Sequence, residues 1–387
     1  MSKRATSILT SLLLSAAVAA PAFAGPQPRY PFLGRFIGAH ASHVDKGQRT
    51  TGERRSFARH DASRPVNRDL TVYDEPYAAD GTWGYGINAG GFAVGEYVGS
   101  DGHTHGFMRV PDGSSYTEIN VGTHPTSAFW LNDKGDAIGD YLKGGIVRPY
   151  VRKSNGKFRT IDLPDSQYAD GLDINNKGVA TGDYVDSSGL WHGFIRAKNG
   201  ALTTFEEPLA ALGPDQGTFA GATNIHGDTI GPYVDENGVL HGYIRHADAS
   251  FTEFDVAGAV DTIPYNQNAK GWVVGFSDDE NGVTHGFIRK PNGKIITVDV
   301  QDAGTGPGQG TVVQDISDNE VAVGNYIDAD NVSHGFTFRI KDAAITEFDA
   351  PGAGPAGTIP VSINVDGVTS GTVYDENDLA HGVIGTP

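Results

Sequence analysis

Four stretches of this chain are near-copies of one phrase: YVDSSGLWHGFIR (184–196), YVDENGVLHGYIR (233–245), SDDENGVTHGFIR (277–289) and YIDADNVSHGFTF (326–338). Each runs through an acidic, turn-rich middle into His-Gly-aromatic. Aligned on the His-Gly pair, the phrase recurs at His105, His192, His241, His285, His334 and His381. Its cognate RPYVR (148–152) has Arg148 in the histidine's place. Successive spacings are 43, 44, 49, 44, 49 and 47 residues. A period of this length restricts the chain to architectures in which one small unit stacks on its own copies.

Each unit holds four strand-like runs. In the third they are YADGLDIN (168–175), GVATGDYV (178–185), WHGFIR (191–196) and ALTTFE (201–206). Asn-Lys-Gly at 176–178 and Asp-Ser-Ser-Gly at 186–189 are turn chemistry between them. Long helical periodicity is absent after residue 70. Four short antiparallel strands per repeat are the pattern of a propeller blade. Units end in a strand such as FTEFDVAGA (251–259) or ITEFDAPGA (345–353), but the last one stops at HGVIGTP without it. A spare copy, LTVYDEP (70–76), precedes the first complete unit. These ends predict an all-β, seven-bladed β-propeller of four-stranded antiparallel blades, closed by the N-terminal strand. The last blade combines residues 361–384 with 70–75, and closure removes two exposed sheet edges.

The residues Ile174-Asn175, Lys177-Gly178, Gly182, His192-Gly193-Phe194 and Thr203-Thr204-Phe205 are similar to a family repeat. They resemble the bacterial extracellular family HAF, whose repeats read Ile-Asn, Gly, Val-Gly and then His-Ala-Phe. Gly stands here for the family's middle Ala, and Arg often stands where the family favours Trp. The resemblance spans residues 70–387. It implies export and a repeated β fold, and it brings no catalytic set.

Within a unit the histidine opens the third strand. An acid closes the fourth: Asp74, Asp162, Glu206, Asp255, Asp299 and Asp349, with Asn120 in the first unit. Six repeats of this juxtaposition point to a structural bond and not to six active sites. The Gly after each His leaves room for a neighbouring ring or backbone. The aromatics after it (Phe107, Tyr150, Phe194, Tyr243, Phe287, Phe336) are expected to fill the space between blades.

The segment before the repeats has a different character. MSKRATSILTSLLLSAAVAAPAFAG reads as a secretory signal peptide, residues 1–24, with cleavage after Ala22-Phe23-Ala24. Residues 25–69 carry nine Lys/Arg against four Asp/Glu and read as a disordered basic linker before the 70–387 propeller. After residue 69 there are 18 Lys/Arg and 43 Asp/Glu, a body that repels nucleic acid and anionic membranes. No later run approaches a membrane span. Export to the periplasm or beyond, as a monomer, is the expectation. The chain has no Cys, which excludes thiol catalysis and Cys-ligated metal. Acidic turns such as Asp235-Glu236-Asn237-Gly238 offer part of what calcium requires, but none has the twelve-residue EF-hand pattern. Plain Asx hairpins explain them equally well, so no cofactor is assigned, with calcium left as an alternative.

No G-x-S-x-G, H-E-x-x-H or G-x-x-x-x-G-K motif is present. Function must then be sought where the repeat breaks. In the first three units Arg148 replaces histidine, Lys143 enters a turn that is acidic elsewhere, and His124 and Tyr168 lie in connections on the same face. Trp191 flanks the third turn. This set is expected to bind an acidic saccharide or another cell-surface ligand, Arg148 pairing with a carboxylate and Trp191 stacking on a ring. The expectation is a binding or scaffold protein. The alternative is a polysaccharide-degrading enzyme, a glycosidase or a lyase; in the lyase Arg148 neutralises the carboxylate while His124 or Tyr168 takes the adjacent proton.

Overall fold

The computed structural model describes residues 69–387; the expected signal peptide and nearly all of the expected basic linker lie outside the described residues. These residues form 28 strands and no helix. The third unit shows the plan. Tyr168–Ile174, Ala180–Val185, Trp191–Arg196 and Leu202–Phe205 pair antiparallel in sequence order, joined by the turns foreseen from Asn-Lys-Gly and Asp-Ser-Ser-Gly.

Three sheets have four strands and two have eight. The eight-stranded ones are pairs of antiparallel fours that touch through one parallel residue pair each, Trp191 with Gly217 and Thr284 with Gly310. The cause is local. Gly217 and Gly310 have φ of +114° and +122°, and a Cβ built there would fall 2.1 Å and 1.9 Å from the carbonyl oxygens of Trp191 and Thr284. Only glycine lets neighbouring units approach this closely.

The strand Leu70–Tyr73 completes the last sheet, pairing antiparallel with Ala380–Gly385 from Leu70↔Gly385 to Tyr73↔Gly382. Leu70 and Tyr73 are buried, and the Tyr73 ring lies edge-on to Phe107 with the Arg109 guanidinium 4.9 Å above it. The first and last sheets are also bonded to each other, Asn364 Nδ2 donating to Asn88 O at 3.1 Å.

That bond belongs to a series. Asn88, Asn132 and Asn175 each donate through Nδ2 to the backbone of the next unit, at Asn132 O, Asn175 O and Asn224 O, over 2.8–3.1 Å. Asn224 reaches Gln267 Oε1, and Asn268 reaches Ser317 O. The Oδ1 of the same asparagine accepts from its own turn, as from Lys177 N and Val179 N at Asn175. The repeated Ile-Asn is thereby explained: one amide both closes a turn and ties adjacent units.

Just before each of these asparagines the innermost strand carries a register shift, as between Gly171 and Asp173 or Val313 and Asp315. Opposite the shift the second strand has glycine. At Gly182 a Cβ would sit 1.9 Å from Asp170 O and 2.8 Å from the Phe194 ring. The core lies between sheets. Phe107, Tyr150, Phe194, Tyr243, Phe287 and Phe336 are fully buried there, in the role their place after His-Gly suggested.

Candidate functional site

The connections between units and the turns joining second to third strands lie on one face, where the six histidines stand. Each is held from two sides. His334 Nδ1 is 2.8 Å from Asp349 Oδ1 and its Nε2 is 3.3 Å from Asp328 Oδ2. His285 has Asp299 at 2.9 Å and Asp279 at 3.9 Å; His381 has Asp74 at 2.8 Å and Asp375 at 3.7 Å. In the first unit, where Asn120 replaces the acid, Asn120 Nδ2 reaches His105 Nδ1 and Asp101 holds the other nitrogen. Four of the rings also lie against the strand-two tyrosine, as Tyr184 on His192 at 4.7 Å between centroids.

The strand-four acid was legible in the sequence; the turn aspartate was not. That aspartate also closes its own turn, Asp235 Oδ1 accepting from Asn237 N and Val239 N. Burial works against a charged His192, but its bonds to Glu206 and Asp186 outweigh this and raise its pKa. For Asp186 burial is again opposed by bonds from Ser188, His192 and the Leu190 amide, and its pKa falls to about 2. The acidic turns thus have structural employment. Among the described residues no group of three or more His, Asp and Glu is placed to hold a metal ion.

The residues singled out at the symmetry break fall into two groups. His124, half-buried, has its ring 5.8 Å from that of Tyr141, and Arg148 is the register partner of Tyr141. Burial raises the Tyr141 pKa and the neighbouring Arg148 charge opposes the rise. Lys143 is exposed two residues further along the same strand. The side chains of Arg148 and Lys143 make no hydrogen bond or ion pair among the described residues. Where six units pair their histidine with acids, the second unit has Arg148 without an ion pair, although its Lys153 is paired with Asp136.

Tyr168 and Trp191 form the other group, with centroids 6.0 Å apart. Trp191 is only 1 % exposed and lies against Phe219 at 5.0 Å. The sugar-stacking role expected for it is therefore corrected. It fills the gap to the next unit, where a bulky ring buries more apolar surface than it would at the rim. The Tyr168 hydroxyl donates to the buried Asp170 Oδ1 at 2.8 Å, so its proton is already engaged.

Two features had escaped sequence reasoning. Glu96, Asp140 and Asp183 occupy one position of the second strand in the first three units, following Gly and preceding Tyr, and all are buried. They clasp the next unit: Asp140 Oδ1 accepts from Gly171 N at 2.8 Å. Burial pushes Glu96 up to about 8 despite bonds from Ser127 and Tyr85, and it pushes Asp140 and Asp183 well above the carboxylate range, with Asp170 adding repulsion. The repeated Gly-acid-Tyr (95–97, 139–141, 182–184) was the available signal. The second feature is a cavity of about 190 Å3 on the opposite face, at the mouth of the central channel, to which all seven repeats contribute residues.

No family model and no curated protein matches the chain. Solved structures do. Virginiamycin B lyase from Staphylococcus aureus superposes with a TM-score of 0.55 at 12% identity, covering 82% of this chain and 99% of the lyase. Its catalytically inactive form with quinupristin gives 0.54 over the same shares. A prolyl endopeptidase matches with a TM-score of 0.52 at 10% identity over 80% of this chain and 47% of its own. At such identities the likeness shows a fold and nothing more: the chain has the β-propeller architecture. Among the described residues no helix is long and apolar enough to cross a membrane.

Proposed function

We propose that this is an exported propeller of the HAF type, seven-bladed and closed by the strand 70–73. Its histidine-bearing face binds an anionic extracellular ligand, a carboxylate-bearing saccharide. The observation that carries the reading is Arg148. It stands in a register position that elsewhere holds an acid-paired histidine, yet its guanidinium has no hydrogen bond or ion pair among the described residues, and the exposed Lys143 is nearby on the paired strand. On a face crowded with Asp and Glu, an uncompensated guanidinium beside two rings is suited to a planar anion, which it can grip with two hydrogen bonds. Blade count and closure rest on the antiparallel fours and on the Leu70–Tyr73 pairing.

A second reading, a lyase, draws on the same patch: His124 beside Tyr141 and Arg148 supplies a base and a counter-ion together. Tyr168 drops out as the base because Asp170 holds its hydroxyl. One experiment decides among these. Uronate-containing oligosaccharides are screened for binding and for unsaturated products with the parent, Arg148→Ala, His124→Ala and His285→Ala. Loss in the first two and retention in the third supports the site, and product formation by the parent selects the lyase. Parent-like binding by all three variants refutes it.

A further inference from the structure

The cavity on the opposite face has no part in that reading. Five of the units line it with the residue two places before the turn asparagine, or before Ser317 in the sixth unit: Trp130, Asp173, Asn266, Asp315 and Ser362; the same position is Gly86 in the first unit and Ala222 in the fourth. The asparagines beside them repeat almost without change because they tie the units. The channel-facing residues differ in nearly every unit, so no single side chain is required there for the units to pack. Two units nevertheless bury a carboxylate where two others have Ala or Ser, although a buried charge is costly. Asp173 accepts from Thr223 N and Ile174 N, and Asp315 from Ile363 N, Ile316 N and Ser362 Oγ.

Three further observations point to a ligand. The lining holds four carboxylates, Asp133, Asp173, Asp315 and Asp318, and no Lys, Arg or His. The nearby Lys270 is occupied by Glu320, and Lys134 by Asn176 O. Thr223, 5 % exposed, lines the cavity with its hydroxyl Oγ1 unpartnered. Trp130 is the one tryptophan left half-buried, since Trp83, Trp191 and Trp272 are buried. Gly86 gives it room: a Cβ there would lie 3.2 Å from Trp130 Cε3.

We propose that this mouth is a binding site for a small organic cation, an ammonium or guanidinium head set between Asp173 and Asp315 with its apolar stem along the Trp130 ring. Thr223 Oγ1 supplies a further acceptor. Burial disfavours the charged forms, pushing Asp173 up to about 7 and Asp315 up to about 6, and a cation beside them offsets that cost.

Butylguanidinium, with uncharged butylurea as its isosteric match, tests this through tryptophan fluorescence and calorimetry on the mature protein. Saturable binding of butylguanidinium alone is expected, weakened about tenfold or more by Asp173→Asn or Asp315→Asn. Trp130→Phe should abolish the fluorescence change while leaving the calorimetric signal, and Arg148→Ala should leave both intact, so this site and the saccharide face fail separately. Absence of saturation at millimolar probe overturns the proposal, as does equal binding of butylurea. If an Asn variant does not fold, the matched pair of probes and Trp130→Phe still decide.

Discussion

The histidine pairs offer an internal comparison, because one motif occurs at very different depths. Around His334 the two side chains of the Asp349 pair are 4 % and 2 % exposed, whereas around His285 the pair with Asp299 is 33 % and 52 % exposed. The second contact differs as well, 3.3 Å to Asp328 against 3.9 Å to Asp279. At His285 the solvent screens the pair, and replacement by Ala should cost about 1 kcal/mol or less. His334→Ala takes a ring from a closed site and leaves Asp349 without its 2.8 Å contact, for which about 3–4 kcal/mol is the appropriate scale. In thermal unfolding monitored by calorimetry this corresponds to a Tm loss of roughly 4–6 °C for His334→Ala and about 1.5 °C or less for His285→Ala. Adding Asp349→Asn to His334→Ala should recover part of the loss, since the buried charge that faced the histidine is then gone. Equal costs at the two histidines would refute the reasoning, because burial would then have no bearing on the pair.

Other consequences are as direct. Deleting residues 70–75 removes the buried Leu70 and Tyr73 and bares an edge at Ala380–Gly385, so Tm should fall by many degrees; deleting 25–68 should leave it nearly unchanged, and equal values would contradict closure. Gly182→Ala, with its Cβ 1.9 Å from Asp170 O, should cost at least about 2 kcal/mol in urea unfolding, where an exposed Gly102→Ala costs only the strain of its positive φ. Stability should also peak in mildly acidic solution. Glu96, Asp173 and Asp315, raised by burial to about 8, 7 and 6, contribute fully below the ordinary carboxylate range of about 4 and lose that contribution as pH rises through 6 to 8. The raised His192 loses its contribution in the same direction. Asp186, Asp235, Asp279 and Asp375 are lowered and lose theirs as pH falls below about 4. A Tm profile from pH 3 to 9 tests the sum, and Glu96→Gln should flatten its alkaline side.

What the sequence made legible is what the repeat enforces. A contact needed in every unit is written many times, so the His–acid pair, the buried aromatic after it and the spare strand 70–76 could all be read without coordinates. What it hid depends on register. The shift between Gly171 and Asp173 turns Asp173 toward the channel, and no local pattern in LDIN declares that a residue has been inserted. The expected site therefore sat wholly on the histidine face, and the cavity at the other end of the channel went unseen.

Symmetry breaking alone sorts nothing, and Arg148 and Trp191 show why. Both depart from the repeat, and both flank a turn on the same face. A departure is tolerated whenever the neighbouring unit can absorb it, as Phe219 does for the Trp191 ring. It is absorbed by nothing in the case of Arg148, whose partly exposed guanidinium has no ion pair among the described residues in a place where six histidines are paired. The first kind of departure is packing, visible only once burial is known. The second leaves a charge free to meet a ligand, and a related argument singles out Asp173 and Asp315, carboxylates buried at positions where other units have Ala or Ser. In a ring of near-identical units, residues whose cost the fold does not require are the ones to test for a ligand.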